Sequence, residues 1–176
     1  MKHRLPDSKK STLKPCVPLP HVLPQQASTC GFIHDDAAMN ELSSYEPKIL
    51  VALGEAIDGN YEIHKWLLEN DYPELAALAS SLQADIDAFQ WLMKNGFNHF
   101  AAFSNAIDED TEAYKWLARY EFRLLVLMVD AAYLNPSAIE ILKKEKLELL
   151  LRIALKIRKL KEAQHLDYNF YYKMHF

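Results

Sequence analysis

Trp66, Trp91 and Trp116 stand 25 residues apart, and each is followed by leucine. The segments around them repeat as well. Ile63-His-Lys-Trp-Leu67 corresponds to Ala88-Phe-Gln-Trp-Leu92 and to Ala113-Tyr-Lys-Trp-Leu117. A further copy, Ala138-Ile-Glu-Ile-Leu142, carries Ile141 in place of tryptophan. Downstream, three more columns keep the register: Tyr72, Phe97, Phe122 and Leu147; Leu75, Phe100, Leu125 and Leu150; Leu78, Phe103, Met128 and Ile153. An upstream copy is degenerate: Ala38, Leu42, Leu50 and Leu53 fit, while Glu41 stands at the tryptophan position. A fixed period of this size means stacked supersecondary units, each too small to bury its apolar face alone.

Each unit reads as two short helices. The first opens at one fixed position, Asp35, Asn60, Asp85, Asp110 and Asn135. All five are residue types whose side chain accepts an orphan backbone N–H of the first turn. Pro136 follows Asn135 at the first helical position, where a missing N–H costs nothing. Glu62, Asp87 and Glu112 sit on the favourable side of the helix dipole. Ile63, Trp66 and Leu67 share a face through i, i+3, i+4 spacing. The first helix ends near Asn70, Asn95 and Tyr120, with Gly96 suited to a left-handed turn, and the second begins near Pro73, Asn98 and Arg123. From Glu148 the last second helix runs on to about His165, longer and more charged, as the closing element of an array requires.

The expected fold is therefore all-α: a short α-hairpin repeat solenoid of about four to five units. Residues 1–30 hold Pro6, Pro15, Pro18, Pro20 and Pro24 without an apolar stripe, and read as a disordered or extended leader. The repeat domain covers residues 31–166, and an aromatic tail covers 167–176, with Tyr168-Asn-Phe-Tyr-Tyr172 placed to fold back over that end. Such an array is similar in kind to the ankyrin, TPR and HEAT solenoids, whose units span about 33, 34 and 40 residues or more. Neither their period nor the TPR and ankyrin signature residues occur here, so the likeness implies binding through an extended face and assigns no residue a role.

Composition bounds the function. The longest strongly apolar run, Leu124 to Val129, is far short of the roughly 20 residues that span a bilayer. The basic N-terminus leads into no apolar segment of the secretory kind. Cys16 and Cys30 match no zinc or redox spacing and read as free thiols in a reducing cytoplasm. Charge is asymmetric: residues 1–30 carry +4, residues 31–142 carry −13 and residues 143–176 carry +5.

Candidate sites are weighed against structural roles. The tryptophans form either a ligand-stacking ladder or the packing between units, and their shared face with Ile63 and Leu67 favours packing. The neighbouring column His64, Phe89, Tyr114 and Ile139 is either a hydrophobic ridge for a partner or further inter-unit packing. Asp108-Glu-Asp110 has too few ligands for a calcium loop, and no metal site or cofactor is expected. The histidines form no His-Glu-x-x-His pattern, and no phosphate loop or nucleophile elbow occurs. Lys156, Arg158, Lys159 and Lys161 on the last helix either bind nucleic acid or an anionic surface, or neutralise the acidic body. The expectation is a non-catalytic helical-repeat protein acting as an interaction or scaffold module for an unknown protein partner, and not an enzyme. Binding of nucleic acid or an anionic surface through those four cations is the alternative. Oligomeric state is left open.

Overall fold

A computed structural model describes residues 42–174 of the chain, with side-chain burial followed as far as residue 166. The expected leader, Asp35 and both cysteines lie outside the described residues. Among the described residues every element is helical. A 3-10 turn at Leu42–Ser44 precedes α1 (Pro47–Ile57), α2 (Tyr61–Glu69), α3 (Pro73–Leu82), α4 (Ile86–Lys94) and α5 (Asn98–Ile107). Then come α6 (Thr111–Arg119), α7 (Arg123–Ala132), α8 (Pro136–Lys144) and α9 (Glu148–Met174). None of the described helices is long and apolar enough to cross a membrane.

The caps fall where the side chains dictate. Asn60 accepts from the Ile63 N–H, Asp85 from Asp87 and Ala88, Asp110 from Glu112 and Ala113, and Asn135 from Ser137. The breaks between helices are equally regular. Each is a single left-handed residue, at Gly59, Asp71, Ala84, Gly96, Glu109, Glu121, Leu134 and Lys146. The amide of the following residue reaches back five positions, as in Tyr72 to the Leu67 carbonyl (3.0 Å) and Asp85 to the Ser80 carbonyl (3.0 Å). This pattern satisfies carbonyls that would otherwise be orphaned at each helix end. Only Gly59 and Gly96 among these eight are glycine, so the other six turns are held by these bonds and by packing rather than by residue type.

The odd-numbered helices form the interior. α1 packs on α3, α3 on α5, α5 on α7, α7 on α9, and α9 returns to pack on α1, so the five close a cycle. Each even-numbered helix nests outside, against the odd-numbered helices before and after it: α2 on α1 and α3, α4 on α3 and α5, α6 on α5 and α7, α8 on α7 and α9. The sequence columns explain the division. Leu75, Phe100, Leu125 and Leu150 are buried, as are Leu78, Phe103, Met128 and Ile153. Ala76, Ala77 and Ala79 of α3 are wholly buried too, so that helix is covered on every side and the small side chains let its neighbours approach. The outer helices bury one stripe, centred on Leu67, Leu92, Leu117 and Leu142, all at 0% exposure.

The closing helix departs from expectation. It continues past His165 to Met174, so most of the segment expected as a tail is helical backbone. The reason lies in composition, because no proline or glycine follows Pro136.

Candidate functional site

The middle of α9, from Lys156 to Gln164, meets the C-terminal ends of all four other inner helices. Lys156 Nζ donates to the Gly54 carbonyl of α1 (3.3 Å), to Glu55 Oε1 (2.8 Å) and to Asp58 Oδ2 (2.6 Å). Arg158 Nη1 donates to the Ala132 carbonyl at the end of α7 (3.4 Å), and its Nη2 pairs with Glu162 (2.6 Å). Lys161 pairs with Asp108, the residue capping the end of α5, at 2.6 Å. Gln164 Nε2 donates to the Leu82 carbonyl that ends α3 (3.4 Å). Helix C-termini present unpaired carbonyls and the negative end of the dipole, so cations and amide donors belong there.

These contacts complete a pattern in the repeat. The position just after α1, α3, α5 and α7 is Asp58, Gln83, Asp108 and Tyr133, and its repeat equivalent within α9 is Arg158. Where that residue is a donor, it caps the inner helix of the unit before. Gln83 donates to the Ala56 and Ile57 carbonyls (3.0 and 3.2 Å), Tyr133 to the Ile107 carbonyl (2.7 Å) and Arg158 to that of Ala132. Asp108 is an acceptor and cannot serve Leu82 in this way. α9 compensates twice, with Gln164 supplying the donor and Lys161 neutralising the carboxylate. Asp58 opens the column and instead takes Lys156. Burial disfavours the charge on Lys156, but its hydrogen bonds to Asp58 and Glu55 outweigh this and raise its pKa above the ordinary 10.5.

Of the four cations expected to bind a polyanion, Lys156, Arg158 and Lys161 are thus engaged within the chain. Lys159 is exposed, as are Lys143, Lys144, Lys146 and Arg152. An open pocket of about 780 Å³ lies beside the α9 contacts, floored by Ile107, Ala132 and Ile157, with Tyr133 and His165 on its wall. Among its lining groups, Asp108 pairs with Lys161 and Arg158 with Glu162.

The column His64, Phe89, Tyr114 and Ile139 is half-buried throughout. His64 Nε2 lies 3.2 Å from the Ala76 carbonyl and 2.9 Å from Ser80 Oγ, and Tyr114 donates to Asp130 at 3.1 Å. Burial first, and then the Asp130 carboxylate, raise the Tyr114 pKa. The column therefore faces the inner helix of its own unit, and Phe89, Tyr114 and Ile139 pack against the core.

The tryptophans differ along the chain. Trp116 is 7% exposed, Trp91 is half-buried and Trp66 is 38% exposed. Trp116 stacks on Phe122 (5.6 Å), which stacks on buried His99 of α5 (5.3 Å), so Trp116 connects through Phe122 to the unit before its own. Trp91 stacks likewise on Phe97 (5.9 Å).

Among the described residues, no group of three or more His, Cys, Asp or Glu is placed to hold a metal ion. No family model, curated protein or solved structure matches the chain. The residues that sequence reasoning missed are Gln164, Gln83 and Tyr133. The signal for Gln83 and Tyr133 was present, because the position that follows α1, α3, α5 and α7 is a column of the repeat like any other, whereas Gln164 lies outside that column.

Proposed function

We propose that the chain is a short helical-hairpin solenoid, curled until its first and last inner helices meet, that acts as a non-catalytic protein-interaction or scaffold module. The observation that carries this reading is the rim formed where one unit passes to the next. Exposed apolar side chains collect at the turns between units: Tyr61 and Ile86 open outer helices, and Tyr133 and Leu134 precede one. They are interleaved with the exposed carboxylates Asp85, Asp87, Glu109 and Glu112. Apolar groups set among charges of one sign suit a protein partner with a basic, partly apolar surface. The polar side chains nearby are spent on caps and ion pairs, which leaves the rim as the surface for recognition. The reading carries with it the cytoplasmic location expected from the two cysteines.

The test is affinity capture with the full chain and with a Tyr61→Ser, Ile86→Ser, Leu134→Ser variant of matched thermal stability. A protein retained by the native chain and lost from the variant supports the reading. Turnover of a defined small molecule by the purified chain, abolished by one side-chain change, overturns it. Nucleic-acid or anionic-surface binding has less support, because three of its four expected cations are paired internally.

A further inference from the structure

The capping contacts of α9 leave a space between them, and at about 780 Å³ it has the size of a small-molecule site. Its floor is apolar: Ile107 closes α5, Ala132 closes α7, Ile157 comes from α9, and all three are buried. Its walls are open to solvent, with Tyr133 at 49% and Leu166 at 70% exposure. Tyr133 is pinned at both ends, by its backbone and by the hydroxyl that donates to the Ile107 carbonyl. The charges decide what such a space would hold. Three carboxylates line it, Asp108, Glu109 and Glu162, against the two cations Arg158 and Lys161, with His165 beside them. Lys161 is paired with Asp108 and Arg158 with Glu162. Glu109, in the turn after α5, has no cation opposite it among the described residues. The C-terminal ends of α5 and α7 open onto the same space, and each carries the negative pole of its helix. The Tyr133 hydroxyl lies in this field: burial first, and then Glu109 and Asp108, raise its pKa.

We propose that this pocket is a binding site for a small organic cation, an apolar or aromatic body that carries one ammonium group. The body lies on the floor of Ile107, Ala132 and Ile157 and against Leu166, where it removes apolar surface from water. The ammonium group takes the Glu109 carboxylate as its counter-ion and the Tyr133 ring as a second, weaker partner. An anion with the same body meets instead the unmatched carboxylate and two negative helix ends, since the nearby cations are already spent within the chain. Binding here needs no protein partner, so the proposal stands apart from the reading of the rim.

Titration of the full chain with tryptamine, followed by amide chemical shifts, tests this. Indole-3-propionate serves as the control that keeps the aromatic body and reverses the charge. Tryptamine should saturate with a Kd on the order of 1 mM, as a ligand of its size allows, and should shift amides 107–109, 132–134 and 157–166. Indole-3-propionate should bind at least about fivefold more weakly, the most that one exposed ion pair is worth. Glu109→Gln should weaken tryptamine by about threefold to fivefold and indole-3-propionate not at all, with the fold intact because Glu109 is exposed. Leu166→Ser, also at an exposed position, should weaken both ligands alike, because it removes only apolar contact. Absence of saturable tryptamine binding overturns the proposal, as do equal affinities for the two ligands, shifts centred away from the pocket, or indifference of tryptamine to Glu109→Gln.

Discussion

Left-handed backbone costs an ordinary residue roughly 1–2 kcal/mol, and this chain accepts that cost at every turn that lacks glycine. Ala84 and Leu134 are at φ 66° and 58° with no glycine to relieve them. Ala84→Gly should therefore raise stability by about 1 kcal/mol, and Gly59→Ala should lower it by a similar amount. Nothing lies within 4 Å of a Cβ placed on Gly59, so the second change reads backbone strain alone. Denaturant midpoints of the two variants check both signs. The tryptophans give a graded prediction. Trp116→Ala should cost about 3–5 kcal/mol, Trp91→Ala less, and Trp66→Ala about 1 kcal/mol. Equal losses at all three positions would mean that burial is not what distinguishes them. Asp85→Ala, which removes a cap accepting two amides, should cost about 1 kcal/mol by the same measurement.

At the scale of elements, α9 differs from the other inner helices in what its polar face does. Lys156, Arg158, Lys161 and Gln164 occur at spacings of two or three residues, and each reaches a different helix end. Lys156→Gln should cost about 1–3 kcal/mol, since it breaks charge-assisted bonds to Asp58 and Glu55. Its pH dependence has a definite sign. The folded-state pKa is raised, so the contribution of Lys156 is complete below the ordinary value of 10.5 and is lost as pH rises through the raised one. The stability gap between the native chain and Lys156→Gln should accordingly be flat near neutrality and narrow above pH 10.5. A gap that stays unchanged above pH 10.5 would mean that the Lys156 charge contributes nothing.

The whole molecule closes at one narrow point. Gly54 takes the place of Ala79, Ser104, Val129 and Ala154 at its repeat position, and a Cβ there would lie 3.4 Å from Lys156 Cδ and 3.7 Å from Ile153 Cγ1. A methyl group fits in ordinary contact, but a larger side chain does not. Gly54→Leu should cost about 1–3 kcal/mol by forcing α9 from α1, whereas Gly54→Ala should leave stability unchanged or slightly higher. If both are tolerated, the cycle is not closed through this contact. Charge at this scale also bears on the alternative function. Short duplex DNA at low salt should bind weakly if at all, and reversing Lys159 alone should have little effect. A steep salt dependence would instead mark real phosphate contacts.

Much of this was legible in one dimension. The period, the caps at Asn60, Asp85, Asp110 and Asn135, the starts at Pro73, Asn98 and Arg123, and the inner-helix core columns are local or periodic facts. A repeat makes each of them visible several times over. The candidate surfaces were less legible. The column of His64, Phe89, Tyr114 and Ile139 shows a helix face, but not that the face turns onto Ala76, Ser80 and Asp130 of its own unit. The basic run of α9 shows its charge, but not that three of its four cations find partners up to 102 residues away. Sequence by itself determined the unit, because hydrogen bonding and burial within 25 residues are set by neighbours along the chain. Only the tertiary structure decided that α9 packs on α1. That contact joins residues up to 102 apart in the chain, so no single unit encodes it.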